Sequence, residues 1–96
     1  MKELYRKAQA IWGKQVQEDI AIEELSELTK AIVKLRRYGR LTDWSNLIEE
    51  IADVEIMIEQ LKIMHNIPEE NVEAHRKVKL SKLEKLILKH EAEKVS

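Results

Sequence analysis

Apolar residues recur every three or four positions along most of the chain, the spacing that puts them on one face of an α-helix. The pattern is interrupted at Gly13, at Gly39 and between Asn66 and Pro68. No segment alternates apolar and polar residues for long enough to indicate a β-strand. The sequence therefore predicts a single all-α domain over residues 1–96, with helices at about 2–12, 14–38, 43–65 and 68–90.

The predicted helix ends rest on residues that commonly cap helices. Gly39 suits the C-terminal cap of the second helix, because glycine readily adopts the left-handed conformation found there. Thr42 or Asp43 can cap the start of the third helix through a side-chain oxygen. Pro68 suits the first turn of the fourth helix, where its missing N–H is not needed. The last residues, EAEKVS, are expected to fray.

The same apolar and acidic pattern occurs twice, as IEELSEL at 22–28 and as IEEIADV at 48–54. On a helical wheel, each copy places two carboxylates one turn apart at or beside its apolar stripe. Because the predicted loop between the two helices is short, we expect them to pack antiparallel as neighbours. The two stripes are Ala21, Leu25, Leu28, Ile32 and Leu35, then Leu47, Ile51, Val54, Ile58 and Leu61, and the carboxylates expected to meet are Glu24, Glu27, Glu50 and Asp53. Glu23 and Glu49 point well away from these stripes.

The composition narrows the possible chemistry. The chain has 17 basic and 18 acidic residues, and its net charge of −1 gives no overall attraction to nucleic acid or to an anionic membrane. It contains no cysteine, which excludes disulfides and thiolate metal sites. The N-terminal residues lack the apolar core of a signal peptide, so a cytoplasmic protein is expected. A domain of 96 residues has a thin core, which favours association with a partner subunit.

Carboxylates placed in a helix interface repel one another and lose hydration, so they need compensation. Either basic partners or hard divalent cations could supply it. Oxygen-only ligation favours Mg²⁺, with Mn²⁺ as the alternative, over zinc. Di-iron helical bundles use Glu-x-x-His pairs, and no glutamate here has a histidine three residues later.

Two lysines in the last predicted helix occupy wheel positions similar to those of the acids. Lys79 and Lys82 lie beside an apolar stripe that includes Leu80, Leu83 and Ile87. They could extend to solvent or pair with the acids, or they could contact the phosphates of a metal-bound nucleotide. The sequence leaves these alternatives open.

The ordered pair Glu23-Glu24-x-x-Glu27 and Glu50-x-x-Asp53, in the frames EELSEL and IEEIADVEIMIEQL, resembles the MazG-like all-α nucleotide pyrophosphohydrolases. The likeness is to their short, single-domain, phage-type members and covers residues 8–88. The sequence has no Arg-rich ending of the full-length MazG kind. Asp53 is followed by VEIMIEQ, which argues against the related phosphoribosyl-ATP pyrophosphatases.

The resemblance implies a hydrolase that converts (d)NTPs to the nucleoside monophosphate and pyrophosphate, with Mg²⁺ held by the four matching acids. It also implies a homodimer or homotetramer with a four-helix-bundle-like core and an active face completed at subunit contacts. In addition to what the resemblance implies, we expect Glu23 to accept a proton from the attacking water. We also expect Lys79 and Lys82 to contact the substrate's phosphates. The alternative hypothesis is a non-catalytic helical interaction or regulatory module whose acids are only salt-bridged.

Overall fold

A computed structural model describes residues 1–95 of the protein, and these residues form four α-helices and no strand. The helices are α1 (Lys2–Trp12), α2 (Lys14–Tyr38), α3 (Leu41–Met64) and α4 (Glu69–Val95). The predicted all-α class is therefore confirmed. The chain divides into two compact units, one with α1, α2 and α3 at Met1–Asn66 and one beginning at Ile67 with α4.

The helices α2 and α3 form an antiparallel hairpin, and α1 packs against both of them. Gly39 ends α2 in the left-handed conformation with φ 61°, as predicted, and its N–H donates to the Leu35 carbonyl at 2.9 Å. A side chain is rarely tolerated at such a positive φ, which explains the glycine. Since only two residues separate α2 from α3, the two helices must run side by side in opposite directions.

The start of α3 differs from the prediction, because neither Thr42 nor Asp43 is its N-cap. Arg40 occupies that position, and Asp43 lies three residues later. The Asp43 carboxylate accepts from the Arg40 backbone N–H at 3.1 Å and from the Arg40 guanidinium at 2.8 and 3.1 Å. These hydrogen bonds from Arg40 lower the pKa of Asp43 below its ordinary 3.8. The acid therefore stabilises the helix start from inside the first turn, where a negative charge also complements the helix dipole.

The C-terminal helix begins and ends later than predicted. It starts at Glu69, directly after Pro68, and continues through Glu91 to Val95 instead of ending near His90. Residues 91–95 contain alanine, glutamates and a lysine, which are good helix formers, so no breaker stops the helix at His90. Ser96, the last residue of the predicted frayed tail, lies outside the described residues. No residue of α4 is buried.

The seam of the hairpin is rotated relative to the predicted apolar stripes. Ala21, Ala31 and Val54 are buried as core residues. The seam also buries polar side chains, and on α3 its buried positions recur every seven residues at Asp43, Glu50, Met57 and Met64. The small alanines on α2 let the two helices approach each other closely along the seam. The larger apolar residues then lie at the edge of the seam. Four stripe residues expected to be buried are instead 43–47% exposed, namely Leu25, Ile32, Ile51 and Ile58.

None of the helices within residues 1–95 has the length and apolar character needed to cross a membrane.

Candidate metal centre

Three carboxylates from the hairpin converge on one point of the seam. Glu24 comes from α2, and Glu50 and Asp53 come from consecutive turns of α3. Each offers one oxygen, and these three oxygens lie within 4.8 Å of one another. The antiparallel packing produces this arrangement, because it sets one turn of α2 against two successive turns of α3. The convergence predicted from the two sequence copies is thus present for these three acids.

Glu50 is the most deeply placed of the three acids. Its residue is 8% exposed, and its Oε2 atom is buried without a hydrogen-bond partner. A buried carboxylate oxygen without a donor carries a large desolvation penalty that no protein group here offsets. A bound cation would supply the missing interaction, so this oxygen favours a metal site over a purely structural one.

The pKa of Glu24 depends on burial and on the charges of the other two acids. Burial raises the pKa of Glu24 above its ordinary 4.5, and the charges of Asp53 and Glu50 raise it further, together with side-chain hydrogen bonds to both. Every one of these causes disfavours the ionised form. The cluster therefore accumulates negative charge that either a proton or a cation must neutralise.

We expect Glu24→Gln to stabilise the metal-free protein at neutral pH. Because the folded-state pKa of Glu24 is raised, ionisation costs more in the folded than in the unfolded chain, and stability is lost as pH rises above 4.5. Glutamine removes this loss and can still donate to Asp53 and Glu50. Melting curves with a chelator should show the variant more stable at neutral pH and the two proteins converging toward pH 4.5. A parent that melts higher at neutral pH would contradict this account.

The other predicted site residues lie outside this group in the described structure. Glu27 is half-buried, and its carboxylate lies 3.6 Å from the ammonium of Lys30. Three residues after Glu24 the helix has turned about 60° short of a full revolution, which carries Glu27 toward the border of the seam. Glu23 is exposed on α2, and Lys79 and Lys82 are exposed on α4, in the second unit.

Three buried glutamines that the apolar periodicity did not predict lie in the unit formed by α1, α2 and α3. Gln9, Gln17 and Gln60 are only 5–9% exposed. The Gln9 side-chain Nε2 donates to the backbone carbonyl of Gln60 at 3.2 Å. The heptad spacing could have predicted two of them, because Gln17 precedes Glu24 by seven residues and Gln60 follows Asp53 by seven residues.

The donor set of the cluster matches a hard divalent cation. All three converging groups are carboxylates, and His65, the histidine nearest the end of α3, pairs instead with Glu18 at 2.9 Å. Mg²⁺ and Mn²⁺ prefer such oxygen ligands, whereas zinc favours sites with nitrogen or sulfur. The residues present therefore fit a magnesium or manganese ion.

No protein-family model matches the chain, and neither a curated protein nor a solved structure matches it. The resemblance to the MazG-like pyrophosphohydrolases stays a prediction that rests on the two acidic motifs.

Proposed function

We propose that the protein hydrolyses (d)NTPs to the nucleoside monophosphate and pyrophosphate in a Mg²⁺-dependent reaction. The observation that carries the proposal is the convergence of Glu24, Glu50 and Asp53 within 4.8 Å, with one buried oxygen of Glu50 left without a partner. A triphosphate brings several negative charges to these acids, so the two can meet only with cations between them. The MazG-like resemblance of the same residues supports the same activity.

Each predicted residue has a role in this proposal. Glu24, Glu50 and Asp53 hold the cation, which when bound lowers the pKa of a coordinated water and neutralises phosphate charge. Glu27 can join them by leaving Lys30, since an exposed ion pair of this kind contributes little to stability. Glu23, exposed beside Glu24, is proposed to accept the proton of the attacking water. Lys79 and Lys82, exposed on α4, stay predicted phosphate contacts.

We also propose that two copies associate through the apolar residues at the edge of the seam. Leu25 and Ile32 lie seven residues apart on α2, as Ile51 and Ile58 do on α3. In an antiparallel hairpin, helical-wheel geometry places these two pairs on the same side, where each side chain is 43–47% exposed. A matching face from a second copy would complete a four-helix bundle.

The rival hypothesis of a non-catalytic module required basic partners for the acids. The groups that perturb Glu24 are Asp53 and Glu50, which are themselves acids. For the three converging acids this observation supports the cation site, whereas Glu27 has the basic partner Lys30.

Pyrophosphate release from a panel of (d)NTPs, with Mg²⁺, with Mn²⁺ and with a chelator, tests the activity directly. We expect turnover only with a divalent cation. The same ions should raise the melting temperature, because they bind the assembled acids of the folded state and not the unfolded chain. Turnover that persists in chelator, or a melting temperature that neither ion moves, would contradict the site.

A further inference from the structure

Two buried glutamine side chains lie on the seam of the hairpin, one heptad away from two of the acids. Gln17 lies seven residues before Glu24 on α2, and Gln60 lies seven residues after Asp53 on α3. Because the helices are antiparallel, both steps lead in the same direction along the seam. Seven residues correspond to about 10.5 Å of helix. Gln17 and Gln60 are each 5% exposed, so the seam holds an acidic layer and then an amide layer two helical turns away.

One atom of the amide layer lacks the interaction that it needs. Gln60 Oε1 is buried and has no hydrogen-bond partner. The Nε2 of the same side chain donates to the Met57 sulfur at 3.6 Å, and the Gln9 amide donates to the Gln60 backbone carbonyl and not to Oε1. A buried acceptor without a donor is costly, as it is for Glu50. The amide layer therefore presents an acceptor suited to an N–H donor of a ligand.

We propose that this amide layer is the base-binding part of the site and that it selects nucleobases with an amino group at the position of the 4-amino group of cytosine or the 6-amino group of adenine. The inference rests on the proposed function. With the α-phosphate at the acidic layer, a separation of two helical turns is comparable to the reach of a nucleoside from its 5′-phosphate to the far edge of its base. The amino group of cytosine or adenine can donate to Gln60 Oε1.

The corresponding bases with a carbonyl group would be rejected at the same position. Uracil and hypoxanthine carry an oxygen where cytosine and adenine carry the amino group, so two acceptors would face each other. A site built around a hydrogen bond discriminates strongly against the analogue that cannot form it, because the buried group is left unpaired.

Base entry requires the first helix to move. Gln60 Oε1 is shielded from solvent, and α1 is held beside it by the hydrogen bond from Gln9. Gly13 is the one residue between α1 and α2, and a side chain added there would meet no atom within 4 Å. Release of the Gln9 hydrogen bond, together with release of the packing of α1 on α2 and α3, would let α1 turn about this residue and open the amide layer.

Two matched substrate pairs test the inference, cytidine against uridine triphosphate and adenosine against inosine triphosphate. Within each pair the amino group is replaced by a carbonyl oxygen. We expect kcat/KM of the parent to favour the amino-bearing member by about tenfold or more, the effect of one buried hydrogen bond.

Gln60→Met, which keeps the side-chain length and removes the acceptor, should bring both ratios toward one. Gln15→Met, at an exposed position of α2, is the matched control and should keep the parent ratios.

Because the readout is a ratio, a general loss of activity does not mimic the expected result. If Gln60→Met does not give a helical circular dichroism spectrum, Gln60→Leu, which also removes the acceptor, takes its place with the same expectation. Ratios near one in the parent, or ratios that the amide variants leave unchanged, overturn the base subsite while hydrolysis itself stands. A parent that hydrolyses no triphosphate overturns the proposed function and this inference together.

Discussion

Glu50→Gln should reduce pyrophosphate release by about a hundredfold or more while leaving the helices folded. The substitution keeps the shape of the side chain and removes the charge of the most buried acid of the cluster. A metal ion contributes several kcal/mol to catalysis by stabilising charge and activating water, and each 1.4 kcal/mol lost is about a tenfold fall in rate. Pyrophosphate release at saturating Mg²⁺ is the measurement, with the helical circular dichroism signal as the check on folding.

The neighbouring acid provides the control for this prediction. Glu49 is exposed, and Glu49→Gln removes the same charge from the same turn of α3 without touching the converging oxygens. It should retain most of the parent rate. Without added cation, Glu50→Gln should melt no lower than the parent, because it relieves repulsion with Glu24 and Asp53. Parent-like hydrolysis by Glu50→Gln would show that the reaction occurs elsewhere.

The sequence predicted the hairpin and the meeting of three of the four expected acids, because these features depend on helix periodicity and on one short connection. Gly39 marked the end of α2, and the spacing of Glu50 and Asp53 put both on one face of α3. These signals are local, and the packing of α2 on α3 does not override them.

The rotation of the seam could not be predicted in the same way. Helical wheels gave a stripe centred on large residues such as Ile51 and Ile58, whereas the structure centres the seam on Ala31, Glu50 and Met57. Hydrophobicity alone favours the larger residues, but small residues allow the backbones to approach more closely. The choice between the two faces depends on how both helices pack together, which neither helix specifies alone.

The placement of Glu27 shows a second limit. Its sequence position matches that of Asp53 in the other copy, yet its carboxylate pairs with Lys30 and lies outside the converging group. Lys30 is three residues further along α2, where side chains on successive turns meet. The second copy has no basic residue at the corresponding position, which is Ile56, so Asp53 stays with the other acids.

Cation binding by the three converging acids would link the stability of the hairpin to the proposed activity. Buried carboxylates that face one another weaken the hairpin, so a cation bound by Glu24, Glu50 and Asp53 should stabilise the same structure that it uses for chemistry. The raised pKa of Glu24 and the unpartnered oxygen of Glu50 are two signs of this one imbalance.

Ile32→Lys is expected to convert an associated protein into monomers. The faces of α2 and α3 are each about 36 Å long, and two helices side by side are about 20 Å wide, which gives roughly 700 Å² for each copy. A stable protein interface buries about 800 Å² on each side, so this face is close to the required size. A lysine within this face would place two charges in an apolar contact related by twofold symmetry, at a cost that the remaining apolar contacts would not offset. Val33→Lys is the control, because Val33 is 49% exposed, against 47% for Ile32, but lies about 100° further round the helix.

Sedimentation at micromolar concentration should show a dimer or larger assembly for the parent and for Val33→Lys, and a folded monomer for Ile32→Lys. A parent that sediments as a well-folded monomer would rule out the assembly, and dissociation by Val33→Lys but not by Ile32→Lys would place the contact on a different face.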